Sequence, residues 1–104
     1  MVKHIILWQL KDSLSAGEKI NVKKNIKNAL ESLAGVVPGL TAITVQTKGL
    51  PSSNADLMLD STFESFEALK GYAIHPAHVA AADTAVCPFT RTRLCLDFEI
   101  YENF

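Results

Sequence analysis

The stretch of sequence that decides the fold is residues 3–10, which read Lys-His-Ile-Ile-Leu-Trp-Gln-Leu. β-branched and aromatic residues favour an extended strand, in which successive side chains point to opposite faces. Ile5 and Leu7 share one of these faces. The other face carries four large side chains, namely His4, Ile6, Trp8 and Leu10. Since both faces are largely apolar, we predict a strand that has to be covered on both sides.

The segment after this strand has a helical pattern. Ser15 and Glu18 have the spacing of a capping box, which predicts that a helix begins here. Apolar residues recur at helical spacing up to Leu33, and Gly35 with Pro38 ends the helix. Two further strands are expected after it, over residues 40–48 and 57–63.

The second half of the chain repeats this order with an interruption. A short helix is expected over residues 64–71, and Pro76 starts another helical stretch that reaches residue 86, with His75 as a plausible N-cap. Residues 92–100 alternate between apolar and polar side chains, as in a last strand. The order β-α-β-β-α-β is typical of an α+β, ferredoxin-like fold, a four-stranded antiparallel sheet with its helices on one face.

The apolar content of the chain exceeds what one sheet face can bury. The sequence has 104 residues, of which 48% are hydrophobic, and we treat residues 1–104 as a single domain. Helices on one face leave the other face bare, and large exposed apolar patches are rare on monomers. We therefore predict a homodimer in which two sheets pack face to face.

Charge and cysteine content exclude several classes of function. Ten Lys and Arg against 11 Asp and Glu leave a net charge of −1, so we expect no nucleic-acid partner. We also expect no membrane partner, because no apolar run approaches the roughly 20 residues of a membrane span. Cys87 and Cys95 are expected to be unpaired. With no secretion signal at the start of the sequence, a cytoplasmic location is expected.

Residues 72–78, Tyr-Ala-Ile-His-Pro-Ala-His, are the sharpest candidate for chemistry. Tyr72 and His78 could supply an orienting acid and a general base, because imidazole transfers protons near neutral pH. His75 and His78 could instead hold a metal, but the motif lacks a third ligand, so no metal is predicted. A purely structural role for these residues, with His75 as a helix cap, is the alternative.

The sequence resembles the stress-responsive A/B barrel family, also called Dabb. The resemblance depends on the Lys-His start of the first strand and on the Tyr-x-x-His-Pro-x-His segment, and it covers essentially the whole chain. Shorter matches lie at residues 37–39, 62–65 and 96–98. The resemblance implies a ferredoxin-like fold that dimerises into an α/β barrel, in agreement with the dimer predicted from the strand pattern.

The resemblance also suggests a reaction. Most members of the family have no assigned activity, but one plant branch carries out the aldol cyclisation of a linear polyketide without metal or cofactor. The tyrosine and second histidine of its motif map onto Tyr72 and His78. By this resemblance, His78 would take the proton next to a carbonyl and Tyr72 would hold the developing enolate. Leu57 stands where that branch has a histidine in its pocket.

Three functions follow as hypotheses. The first is a non-catalytic Dabb homodimer that binds a small, mostly apolar ligand between sheet and helices, without a cofactor. The ligand-contacting residues would be His4, Trp8, Leu57, Phe63 and His75, beside Tyr72 and His78. The second is a cofactor-independent cyclase or lyase in which His78 is the base. The third is a structural stress protein, which needs no pocket. The related dimeric α/β-barrel monooxygenases suggest a fourth function, but no residue of this sequence specifically selects oxygen chemistry.

Overall fold

The computed structural model describes residues 1–101. In this part of the chain the strands are β1 (Val2–Leu10), β2 (Leu40–Gln46), β3 (Leu57–Phe63) and β4 (Thr90–Glu99). The α-helices are α1 (Ala16–Glu31), α2 (Phe66–Ile74) and α3 (Pro76–Ala81). A π-helical turn over Ala82–Val86 and a 3₁₀ turn over Cys87–Phe89 lead into β4. The order confirms the prediction, including the break in the second helical region.

Helix α2 differs most from its predicted limits. It was expected over residues 64–71, but it begins at Phe66 because the Ser65 hydroxyl accepts the Ala68 N–H at 3.1 Å as an N-cap. It continues to Ile74 and therefore includes Tyr72. The candidate tyrosine consequently lies on a regular helix, whose backbone gives its ring a defined direction.

The sheet has the strand order β2-β3-β1-β4, with every neighbouring pair antiparallel. β1 is central, and His4 lies opposite Ser61 of β3 and Asp97 of β4. Residues that lie opposite each other point to the same face. This arrangement is the α+β, ferredoxin-like sheet expected from the sequence.

The helices cover one face of this sheet. The even-numbered residues of β1, from Val2 to Leu10, are buried under them. Three residues of α1 enter the same core, namely Val22, Ile26 and Leu30. Leu69 and Tyr72 enter it from α2. Among residues 1–101, no helix combines the length and the apolar character needed to cross a membrane.

The opposite face of the sheet is open and apolar. Ile5 and Leu7 are half-buried there, and the register places Leu96 and Leu94 beside them. Leu94 and Leu96 are each 63% exposed, and Phe98 is 44% exposed. The sequence predicts that both apolar faces of β1 are covered. Within one chain, the second face is only partly covered.

Two glycines with positive φ shape the connection from α1 to β2. Gly35 has a φ of 79° and Gly39 a φ of 80°. A Cβ on Gly39 would lie 2.5 Å from the Cβ of Ala68, whereas a Cβ on Gly35 would have nothing within 4 Å. The Gly39 carbonyl also accepts the Glu64 N–H at 2.9 Å. Helix α2, which carries Tyr72, therefore depends on a close approach that only glycine permits.

We predict that Gly39→Ala destabilises the protein more than Gly35→Ala. The left-handed conformation costs an alanine about 1–2 kcal/mol at either position. At Gly39 the clash with Ala68 adds roughly 1–3 kcal/mol more, because helix α2 has to shift. Urea unfolding of both variants measures the difference, and equal losses in the free energy of unfolding would contradict the close contact.

Candidate functional site

Tyr72 and His78 come together because the helical region breaks at His75. Tyr72 lies on the buried side of α2 and His78 on α3, and their ring centroids are 4.1 Å apart with the planes at 35°. The Nδ1 atom of His78 lies 3.3 Å from the carbonyl oxygen of Ala73. A carbonyl can only accept, so Nδ1 carries the proton and Nε2 is the basic nitrogen.

His75 has a structural part in this arrangement. Its backbone is extended between the two helices, and its Nδ1 accepts the Ala77 N–H at 3.1 Å, capping α3. Pro76 follows at the first helical position, where its missing N–H costs nothing. The Nδ1 atoms of His75 and His78 therefore both face backbone groups, which caps helix α3 and orients the His78 ring.

A cavity of about 140 Å³ opens beside the Tyr72–His78 pair, between the sheet and the helices. A second cleft of about 250 Å³ is lined by the same pair. Four residues line both spaces, namely His4, Tyr72, His78 and Arg93. The first cavity is otherwise mostly apolar, with Trp8 and Leu30 in its wall. The arrangement suits a small ligand with an apolar body and one polar end.

Burial shifts the protonation of both motif residues. It raises the pKa of Tyr72 to about 12, and the nearby Arg93 guanidinium offsets part of this. Burial also lowers the pKa of His78. The Ala73 carbonyl and the Asp83 carboxylate oppose this shift, and the Arg93 guanidinium acts in the same direction as burial. At neutral pH the phenol is therefore a proton donor and the imidazole an uncharged base.

The Tyr72 hydroxyl lacks a hydrogen-bond partner among residues 1–101, although it is fully buried. Buried polar groups are nearly always paired, and an unpaired one costs about 1–3 kcal/mol. The ring is held by Phe63, whose centroid is 5.0 Å away, and by His4 at 6.0 Å. The fold thus holds a buried, unsatisfied hydroxyl on a residue that lines the cavity.

Strand β4 supplies site residues that the sequence did not indicate. Arg93, Cys95 and Asp97 lie opposite Trp8, Ile6 and His4 of β1, so they point to the helical face of the sheet. Asp97 accepts a hydrogen bond from Nδ1 of His4. The sequence shows that these three residues alternate with apolar ones. That pattern alone predicts that they face solvent, and only the register with β1 shows that they face the helices.

The remaining predicted ligand residues lie at different distances from the cavity. Trp8 and His4 line it. Phe63 is fully buried and packs against the ring of Tyr72. Leu57 lines a separate depression together with Leu7. Neither residue lines the two spaces beside Tyr72 and His78. The structure therefore brings together His4, Trp8, Tyr72 and His78 of the predicted set.

Residues 2–100 match the model of the stress responsive A/B barrel domain, Dabb. The chain belongs to the Dabb family. Olivetolic acid cyclase of Cannabis sativa is similar to it, with 30% identity over 86 residues that span 79% of this chain and 80% of the cyclase. The family resemblance noted in the sequence is therefore confirmed.

Solved structures support the same assignment of fold. A Bacteroides fragilis protein, described as dimeric, ferredoxin-like and of unknown function, is 33% identical to this Dabb chain. It superimposes with a TM-score of 0.89 over 95% of both chains. A dimeric ferredoxin-like protein of Thermobifida fusca shares the fold at 22% identity, with a TM-score of 0.80 over 95% of this chain and 90% of its own.

We predict that Tyr72→Phe stabilises the protein. Phenylalanine keeps the ring between Phe63 and His4 but removes the buried hydroxyl, so the free energy of unfolding should rise by about 1 kcal/mol or more. Tyr101→Phe is the matched control, because Tyr101 is 78% exposed and its hydroxyl is solvated. Thermal unfolding compares the two variants, and a clear loss of stability in Tyr72→Phe would show that the hydroxyl is paired.

Proposed function

We propose that this Dabb protein binds a small carbonyl compound in the cleft beside Tyr72 and His78 and moves a proton next to its carbonyl, as a cyclase or lyase. The observation that carries the proposal is the pairing of a buried, unpartnered phenol with an uncharged imidazole at 4.1 Å between ring centroids. A carbonyl oxygen that accepts from Tyr72 would satisfy the hydroxyl. The same substrate would lie within reach of His78.

The proposed step is an acid–base reaction of these side chains. The Nε2 atom of His78 takes a proton from the carbon next to the carbonyl, and the C–H electron pair becomes the enolate. Tyr72 stays protonated, because burial raises its pKa to about 12, and donates a hydrogen bond to the enolate oxygen. The Arg93 guanidinium at the edge of both spaces further stabilises the negative charge.

The second half of the reaction distinguishes a cyclase from a lyase. In a cyclase the enolate carbon attacks a second carbonyl of the same molecule, forming a C–C bond, and the imidazolium of His78 returns its proton to the new alkoxide. In a lyase the electron pair instead expels a leaving group, which takes the proton. The 30% sequence identity with olivetolic acid cyclase, over 79% of this chain, favours the cyclase.

Cavity size limits the substrate. The two spaces measure about 140 and 250 Å³, at or below the low end of the roughly 300–1,000 Å³ that is usual for ligand pockets. Tyr72 and His78 line both spaces, so a ligand in contact with both residues could occupy either one. We therefore propose a compact substrate, with its apolar part against Trp8 and Leu30 and its carbonyl at Tyr72.

The apolar wall also favours a second candidate, a carrier or sensor of a small ligand without turnover. Ile6, Trp8, Leu30, Leu59 and Val86 all line the first cavity, and these residues contribute affinity but no chemistry. The carrier and the enzyme share the cleft and differ in whether His78 ever accepts a proton from the ligand. A structural stress protein would not need the cleft at all.

We predict that His78→Ala lowers turnover by about 10²–10⁴-fold, because the general base is lost. Exchange of protons next to the carbonyl for deuterium, followed by NMR, tests this over a panel of β-keto and polyketide compounds. Wild-type activity should fall as the pH drops below the ordinary imidazole pKa, since protonated His78 is not a base.

His75→Asn is the matched control for this experiment. Asparagine is a good N-cap, so the variant loses a neighbouring imidazole and keeps helix α3. It should retain wild-type exchange. Exchange that is equal in His78→Ala and wild type would remove His78 as the base. Ligand binding without exchange by the wild type would support the carrier instead.

We further propose that the protein is a homodimer through the open sheet face, in line with the dimeric relatives. Leu94, Leu96 and Phe98 of β4, with Ile5 and Leu7 of β1, form a continuous apolar surface that a second sheet would cover. Burial of such residues contributes about 25 cal/mol to the stability of an interface for each Å² of apolar area.

We also propose that the protein is located in the cytoplasm. Cys87 and Cys95 are free and exposed, as suits a reducing compartment.

We predict that Leu96→Glu converts the dimer into a monomer, because a carboxylate would be buried at the centre of the interface. Sedimentation at micromolar concentration measures the mass of both proteins. Leu50→Glu is the control, since Leu50 is 75% exposed outside the sheet. A wild-type monomer would contradict the proposed dimer, and a dimeric Leu96→Glu variant would place the interface elsewhere.

A further inference from the structure

Three groups that the proposed reaction does not use converge at the β4 side of the cleft. His4 lies opposite Asp97 in the pairing of β1 with β4, and Cys95 lies two residues before Asp97 on the same face. One nitrogen, one sulfur and one oxygen atom of these residues all lie within 4.8 Å of one another. His4 and Cys95 are 91 residues apart in sequence, so no local sequence motif indicates the cluster.

The separations resemble those of a metal site. The Sγ atom of Cys95 is 3.8 Å from Nδ1 of His4 and 3.5 Å from Oδ1 of Asp97. Zinc binds sulfur at about 2.3 Å and nitrogen or oxygen at about 2.0 Å, and at tetrahedral angles such ligands are roughly 3.3–3.6 Å apart. For a metal to enter, the hydrogen bonds from His4 and from the Cys95 thiol to Asp97 have to open, and Nδ1 of His4 and the thiol have to release their protons.

We propose that His4, Cys95 and Asp97 bind a divalent transition-metal ion of the zinc type. Imidazole, thiolate and carboxylate are the ligands that such ions prefer. When the thiol loses its proton, Cys95 and Asp97 supply two negative charges, which match the charge of the ion. The proposed proton transfer by Tyr72 and His78 does not require this ion.

The surroundings leave one coordination position open. All three ligands line the cleft of about 250 Å³, together with Tyr72, His78 and Arg93. A site with three protein ligands and one open position can accept water or a small ligand, unlike a closed structural site. His4 is buried, so its ring is held in place, whereas Cys95 and Asp97 on the edge strand are exposed and accessible to an incoming ion.

Without a metal, the same atoms are held together by hydrogen bonds. The Cys95 thiol donates to Oδ1 of Asp97 across 3.5 Å, and Nδ1 of His4 donates to the same oxygen. A dication at this position would replace these hydrogen bonds with bonds to sulfur, nitrogen and oxygen, which are its preferred ligand atoms.

The test is metal binding to full-length protein from which any affinity tag has been removed. We expect one equivalent of Co²⁺ or Zn²⁺ per chain, with thiolate-to-metal charge-transfer absorption in the Co²⁺ form. Cys95→Ser should abolish this absorption and weaken Zn²⁺ binding by at least about 10-fold, as measured against a chromogenic chelator. Cys87→Ser is the matched control and should keep both properties.

Two further variants keep the test decisive if Cys95→Ser folds poorly. Asp97→Asn retains an oxygen that can accept the hydrogen bond from His4, yet should weaken Zn²⁺ binding by a similar factor. His78→Ala should keep one metal equivalent. Absence of uptake by the wild type at micromolar free metal would overturn the proposal. So would binding that depends on His78 but not on Cys95 or Asp97.

Discussion

The pairing of β1 with β4 is the constraint on which the rest of the structure depends. β1 lies in the middle of the sheet, and its register with β4 sets the direction of every side chain of that edge strand. In this register Arg93, Cys95 and Asp97 face the helices, and Leu94 and Leu96 face outward. A slip by one residue would exchange the two sets. The polar wall of the cleft and the open apolar face therefore result from a single alignment.

The break between α2 and α3 is the second determinant of the site. A continuous helix would carry Tyr72 and His78 six residues apart, on different sides of its axis. The extended backbone of His75 and the Pro76 after it turn α3, and His78 then returns over Tyr72 with its Nδ1 at the Ala73 carbonyl. The motif thus contains two residues that can donate or accept a proton, Tyr72 and His78, and two that shape the backbone, His75 and Pro76.

Stability and the proposed ligand contact are opposed at Tyr72. A buried hydroxyl without a partner costs folding free energy that a phenylalanine would not, and it is held firmly by the rings of Phe63 and His4. The open apolar face is a comparable feature, because it lowers the stability of a single chain and gives a second chain a surface to cover.

The sequence by itself determined the order of the elements and the two-sided character of β1, and it indicated Tyr72 and His78 as candidates for chemistry. These are local properties, since strand alternation, helix caps and proline positions depend on residues close together in the chain. Only the tertiary structure decided that Arg93, Cys95 and Asp97 join the cleft, that Phe63 and Leu57 stay behind or beside it, and that His75 serves as a cap. Those outcomes depend on which strands pair and in what register, and that choice is made by packing between segments as far apart as His4 and Asp97.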